Sequence, residues 1–195
     1  MLALIEMYYF LHTIDPIGLR ARMPGVIIGT TVVMLLYARI SKLSTWQLLD
    51  IGAPALYLFI WVYRIGCVVN GCCYGLPCDL PWAVIYTNPH TISPQGISEH
   101  PTQLYHLIWT AIVFVSLIQI QKKPLPAGFA TLSALLLYSI GDFTIRSFRA
   151  DEPVVFNISI SQVAALLQIV ICTYFLISRR KTFKQIAFWK VAKKA

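Results

Sequence analysis

The chain has 195 residues, of which 57% are hydrophobic and 12% charged, and its mean hydropathy is +0.68. A soluble domain of this size has too little interior to hide so much apolar surface, so a water-soluble globular fold is excluded. The net charge of +8 does not point to nucleic acid, because seven of the sixteen lysines and arginines crowd into the final segment, from Arg179 to Lys194. A positive tail directly after an apolar helix is the pattern of a cytoplasmic end facing anionic lipid. The expectation is one all-α integral membrane domain over 1–195. It is a bundle of about five transmembrane helices with an outward-facing, loop-rich head segment.

Met1 to Leu11 is apolar, but it is too short to span a bilayer, carries Glu6 and has no basic leader. Residues 1–22 are therefore expected to form an interfacial N-terminal segment. The first spanning helix is expected from about Pro24 to Tyr37, with Gly25, Gly29 and Thr30 as a small-residue packing face. The second runs from about Leu48 to Val69, with a kink at Pro54. Residues 71–103 are rich in turn formers, among them Gly75, Pro77, Pro81, Asn88, Pro94 and Gly96, and form an outer-face loop. Within it, Leu80 to Tyr86 reads as a short strand or an interfacial patch, and Trp82, Tyr86 and Trp109 suit a headgroup belt. Further helices are expected at about Leu104 to Ile120, Ala127 to Ile145 and Ile158 to Ile177, followed by a basic tail over 179–195.

The connections set an orientation. Eleven basic residues fall on the side of Arg39, Lys42, Lys122, Lys123 and the tail, against five on the side of Arg20, Arg22, Arg64, Arg146 and Arg149. The positive-inside rule then places the tail in the cytoplasm and residues 71–103 outside.

The stretch Tyr63-Arg64-Ile65-Gly66-Cys67-Val68-Val69-Asn70-Gly71-Cys72-Cys73-Tyr74-Gly75 ends the second helix. An arginine in or beside hydrocarbon costs several kcal/mol unless it is paired, so Arg64 is a candidate site residue. With Asn70 and the flexible Gly71 and Gly75 it suits an anionic group; the alternative is a side chain snorkelling to headgroups. Glu99-His100-Pro101-Thr102-Gln103-Leu104-Tyr105-His106 leads into the next helix. His100 is either a general base or headgroup ligand, or part of a capping turn. Tyr138, Asp142 and Arg146 recur every four residues and share a helix face. Asp142 before Arg146 is the favourable order for an ion pair, which is either structural or part of a substrate site.

Cys67, Cys72, Cys73 and Cys78 lie close together in sequence, whereas Cys172 stands alone in a late helix. Zinc sites usually carry a CxxC pair, and none is present, so no metal and no cofactor is expected. Free thiols and a disulfide remain open, and Cys78 would be the partner for Cys72 or Cys73.

At these residues the chain resembles the bacterial prolipoprotein diacylglyceryl transferase family. The family signature is close to G-R-x-G-N-x-x-N-G-E-x-x-G, and the match runs through Arg64, Gly66, Asn70, Gly71 and Gly75. Family motifs P-W-A-V-x-F and H-P-S-Q-L-Y-E correspond to Pro81 through Tyr86 and to the run beginning at His100 and reaching Tyr105. Tyr37-Ala38-Arg39 and Asp50 through Pro54 are similar as well, so the likeness covers roughly Met23 to Asp151. Several positions depart. The family's H-G-G reads Met23-Pro24-Gly25, and Cys67 and Cys72 replace an asparagine and a glutamate. In the late helix the family's arginine and acidic residue read Asp142 and Arg146, with the charges exchanged.

The resemblance implies a multi-pass enzyme of the bacterial plasma membrane. It would move diacylglyceryl from phosphatidylglycerol to the thiol of a lipobox cysteine in a prolipoprotein signal peptide, forming a thioether and releasing glycerol phosphate. It implies Arg64, His100, Tyr138 and Arg146 as catalytic residues, with Arg64 on the phosphate and His100 as the base. It implies Asn70, Gly71, Gly75, Gln103, Tyr105 and Asp142 as substrate-binding residues. The competing readings are a homologue that binds anionic lipid or lipoprotein without catalysis, and a transferase with a different acceptor.

Overall fold

The computed structural model describes residues 44–150 and 158–178, the helical positions 33 and 36–41, and the backbone of 154–155. The interfacial segment 1–22, Met23 and the basic tail 179–195 lie outside the described residues, as does most of the helix expected from Pro24. Its described portion stays helical to Ser41, beyond the expected end at Tyr37.

Within 1–48, the start of helix α1 (Thr45–Asn70) is fixed by a capping box. The Gln47 amide donates to Ser44 Oγ at 3.2 Å, and the Ser44 amide donates back to Gln47 Oε1 at 3.1 Å. A Ser-x-x-Gln pair of this kind satisfies donors that a helix N-terminus leaves open.

From Leu49 onward, α1 is followed by α2 (Thr102–Gln121), α3 (Phe129–Arg146) and α4 (Ile160–Ser178). Each helix ends one residue beyond the expected bound; α1 starts three residues early and α2 two, whereas α3 and α4 each start two residues late, with Ile158 and Ser159 extended rather than helical. Between α1 and α2, β1 (Val84–Ile85) pairs antiparallel with β2 (Ser98–Glu99), so the Leu80 to Tyr86 run does contain a strand. Between α3 and α4, β3 (Val154–Val155) and β4 (Ile158–Ser159) form a second short hairpin.

α1, α2 and α4 are long and apolar enough to cross a membrane. α3 is 18 residues long and carries Asp142 and Arg146, yet it packs between α2 and α4 and buries eight residues, the most of the four. Its polar residues are tolerated because neighbouring helices, not hydrocarbon, surround them. Large apolar side chains such as Phe59, Val62, Ile108, Val115, Val170 and Ile177 point outward and are exposed, as befits helices bathed in lipid.

Pro54 lies inside α1 without ending it. Proline cannot donate to the carbonyl four residues back, here that of Asp50. Gln121 Nε2 at the end of α2 donates to that carbonyl instead. The Asp50 carboxylate meanwhile accepts the Gly128 amide at 2.6 Å, the Thr131 amide at 2.9 Å and the Thr131 hydroxyl at 2.7 Å. One residue of α1 thus caps the start of α3 and is held by the end of α2.

Trp109 does not join a headgroup belt. Its indole lies on Gly141 of α3, where a Cβ would collide with the ring, and its Nε1 donates to the Leu137 carbonyl at 3.1 Å. Glycine is what allows α2 and α3 to approach so closely.

The interior changes character along its length. Toward the α2–α3 connection it is apolar, formed by Ala53, Tyr57, Val113, Leu117, Ala130 and Ala134. Toward the head it is polar. Thr102, Gln103, His106 and Thr110 occupy the α2 face continuous with Val113 and Leu117; Arg64 and Cys67 continue the α1 face of Ala53 and Tyr57; Ser139 and Asp142 follow on α3. The helical period carries each apolar stripe into a polar one within the same groove.

Candidate active site

The polar end of the bundle converges on Arg64, which is 7% exposed. The Tyr138 phenol of α3 lies against its guanidinium, and Cys67 and Cys73 stand near it. Tyr138 in turn packs on Tyr57, their ring centroids 5.8 Å apart. Among the described residues no carboxylate lies within ion-pair distance of Arg64. Asp142, the acidic group of the cluster, is engaged by Arg146, whose Nε donates to Oδ2 at 2.6 Å. Its other oxygen faces His106 Nδ1 at 3.8 Å.

His106 is fully buried, and the positive charges of Arg64, Arg146 and Arg149 all bear on it. Neither of its ring nitrogens makes a hydrogen bond, and Arg64 Nε, Asp142 Oδ1 and Tyr57 Oη are likewise buried without a hydrogen-bond partner. A buried polar atom left unpaired costs roughly 1–3 kcal/mol, and proteins hold few of them. Their concentration in one interior, under an excess of positive charge, is an arrangement able to take up the hydrogen bonds and charge of a polar, anionic group.

The expected site residues divide into two groups. Arg64, Tyr138, Asp142 and Arg146 come together in this cluster. His100 has other neighbours: its ring lies 5.0 Å from Phe148 and 6.2 Å from Tyr105, and its Nδ1 is 3.3 Å from the Tyr105 hydroxyl, which accepts from Trp82 Nε1 at 2.9 Å. Asn70 is exposed, and its carbonyl accepts the Ile92 amide at 3.1 Å. The Gly71 amide closes the helix end by donating to Val68 at 3.3 Å, with a positive φ of 62° that suits glycine. Gly75 is pressed against the His100 backbone, where a Cβ would clash with its carbonyl. Buried Gln103 donates to the Cys72 carbonyl at 3.0 Å.

All five cysteines are free, so the disulfide considered for Cys78 is not formed. The sulfurs that gather are those of Cys67, Cys72 and Cys73, all within 4.8 Å of one another. Their neighbouring thiols, with help from Arg149 and Arg64, pull the Cys73 thiol well below its ordinary range, and the same contacts push Cys72 up.

His106 and the sulfur cluster were missed by spacing arguments. Cys67 and Cys72 are five residues apart, a separation that brings side chains together only when the helix ends between them and the chain turns back. The available signal for His106 was its position three residues after Gln103 and four before Thr110, on the buried stripe.

A membrane-embedded helical bundle whose interior presents a guanidinium without a carboxylate partner, beside a histidine and an ion pair, defines a class: helical membrane proteins with a charged site buried between their helices. The chain belongs to the prolipoprotein diacylglyceryl transferase family, whose family model matches residues 14–178. Curated relatives named phosphatidylglycerol–prolipoprotein diacylglyceryl transferase include one from Dehalococcoides mccartyi, 34% identical over 161 residues, covering 83% of this chain and 62% of the relative. One from Oceanobacillus iheyensis is 32% identical over 171 residues, covering 83% and 58%. One from Listeria welshimeri is 31% identical over 179 residues, covering 87% and 65%. The chain thus spans about three-fifths of the length of the relatives it matches.

In the family pattern H-P-S-Q-L-Y-E, the position after Tyr105 is glutamate, and here it is His106. Together with the exchange at Asp142 and Arg146, three residues differ in charge type from that pattern, and Asp142 faces both of the others.

Proposed function

We propose that the chain transfers the diacylglyceryl group of phosphatidylglycerol to the thiol of a lipobox cysteine in a prolipoprotein signal peptide. The relatives' names supply the substrates, and the carrying observation is Arg64, a buried guanidinium with no carboxylate partner among the described residues. Arg64 takes the phosphate oxygens of the lipid through paired hydrogen bonds, and Tyr138 holds its orientation. His100, the candidate base of the head segment, takes the proton of the acceptor thiol. The thiolate sulfur forms a bond to the glycerol carbon that bears the phosphate. The carbon–oxygen bond breaks, its electron pair leaves with glycerol phosphate, and Arg64 stabilises the charge that develops there. The proton on His100 returns to solvent or to the departing phosphate. Arg146 holds the Asp142 carboxylate in place.

The charge asymmetry of the connections supports a bacterial plasma-membrane protein with the head segment outside and the C-terminus in the cytoplasm. The acceptor, arriving from a secreted precursor, would meet the polar end of the bundle from that side.

The test uses the full chain in cells depleted of their own transferase, scored for mature lipoproteins, and purified protein with labelled phosphatidylglycerol and a lipobox peptide. Wild-type protein restores transfer. Arg64→Ala abolishes it with the helical content unchanged, and His100→Gln reduces it by at least about 100-fold while lipid binding persists. Equal transfer by Arg64→Ala and wild type would overturn the reading. Lipid binding by the wild type with no transfer to any thiol peptide would replace it with a non-catalytic lipid-binding homologue.

A further inference from the structure

The three sulfurs of Cys67, Cys72 and Cys73 have no part in the transfer scheme. They are the group of metal-ligating side chains that the described residues bring within 4.8 Å of one another. Two of them, Cys67 and Cys72, stand where the family signature has other residues, so the cluster is a property of this chain. We propose that Cys67, Cys72 and Cys73 form a three-thiolate binding site for a soft d10 cation of the zinc or copper(I) class.

The size of the cluster fits. A metal–sulfur bond of about 2.3 Å places the sulfurs of a tetrahedral or trigonal centre roughly 3.8–4.0 Å apart. From a spread bounded by 4.8 Å, closing on an ion needs shifts of under about 1 Å, which rotation about the Cys χ1 bonds supplies.

The backbone is already arranged for it. Cys67 is buried at the end of α1, and the chain reverses at Gly71, where a side chain would meet Thr91. Cys73 takes φ of 62°, the left-handed region, and is the non-glycine residue that does so among the described residues. That conformation costs a β-carbon residue about 1 kcal/mol or more, and it persists only where surroundings impose it. The surroundings are specific: Thr102 Oγ1 donates to the Cys73 carbonyl, and Gln103 Nε2 donates to the Cys72 carbonyl at 3.0 Å. Both side chains are fully buried at the start of α2. Such outer contacts are the kind that orient ligands in metal sites. The result is a tight turn that aims adjacent cysteines back at Cys67 rather than on to Cys78.

The donor set selects the ion. Thiolates favour zinc and copper(I) over hard cations such as magnesium or calcium. No histidine or carboxylate among the described residues completes the group, so the ion would be three-coordinate or keep one open position. Arg64 and Arg149 stand near Cys73 and offset the negative charge that three thiolates and one ion carry.

This assignment is independent of the transferase reading, and its test does not use activity. The reduced full chain in detergent is titrated with cadmium, a spectroscopic stand-in for zinc, and the near-ultraviolet thiolate-to-metal band is followed. Alkylation with and without metal is then mapped by mass spectrometry. The expected result is one ion per chain, displaced by zinc or copper(I), with Cys67, Cys72 and Cys73 protected while Cys78 and Cys172 react as before. Cys67→Ser or Cys72→Ser weakens binding by at least about 100-fold, whereas Cys78→Ser leaves it unchanged. Alkylation of the wild-type chain needs no variant to fold. Equal labelling of Cys67, Cys72 and Cys73 with and without saturating metal would overturn the proposal, and so would a band that survives Cys72→Ser.

Discussion

Arg146 donates through Nε to Asp142 Oδ2 at 2.6 Å, one helical turn away, while the second oxygen of the same carboxylate turns toward His106. This relationship explains how a short helix with two charged residues sits at the centre of a membrane bundle. It also removes Asp142 as a partner for Arg64, which leaves that guanidinium with its charge unmatched.

Asp142→Asn should be among the most damaging changes in the bundle. It leaves Arg146 partly buried without its carboxylate and takes the acid away from His106. Breaking a buried pair costs about 3–5 kcal/mol, and the 16% and 10% side-chain exposure here argues for the low end, about 3 kcal/mol. The melting midpoint in detergent should fall accordingly. The charge exchange gives a sharper test. Asp142→Arg with Arg146→Asp puts an arginine beside His106, whereas adding His106→Glu restores an acid on both sides of it. The triple variant should therefore melt above the double. A double variant as stable as the triple would mean that these residues are not coupled as described.

Gly141→Ala should loosen the α2–α3 contact, because the added methyl group meets the Trp109 indole. Overpacking of this kind typically costs about 1–3 kcal/mol. Pairing it with Trp109→Leu should recover part of the loss, since the smaller side chain makes room. Additive losses in the double-mutant cycle would show that the two positions do not touch.

Asp50→Ala removes the carboxylate that caps α3 and should cost about 1–2 kcal/mol. Hydrogen exchange locates the effect: amides of Gly128 and Thr131, which donate to that carboxylate, should lose protection before the rest of α3. Asp50→Asn keeps one acceptor and should lose less. Unchanged protection at both amides in Asp50→Ala would contradict the capping role.

Much of the architecture was legible from local features. The apolar runs locate α1, α2, α3 and α4 to within a few residues, because burial in lipid demands length and apolarity that appear directly in the chain. The late-helix spacing of Asp142 and Arg146 is a property of one helix, and their ion pair follows from it. The placement of Trp109 depends on a distant segment. Trp109 reads as an interfacial aromatic until the absent side chain of Gly141, 32 residues later, opens a slot for it. In the same polar motif, α2 carries His106, six residues after His100, to the buried face.

The sequence by itself determines a membrane bundle with a polar head, an arginine at the end of an apolar helix and membership in its family, since all of these reside in composition, periodicity and contiguous motifs. Tertiary structure alone decided which histidine shares an interior with Arg64, and that Cys67 meets Cys72 and Cys73. Those meetings depend on the register of antiparallel helices and on a loop folded back by contacts from α2. Both are set by packing between distant segments, which no local pattern records.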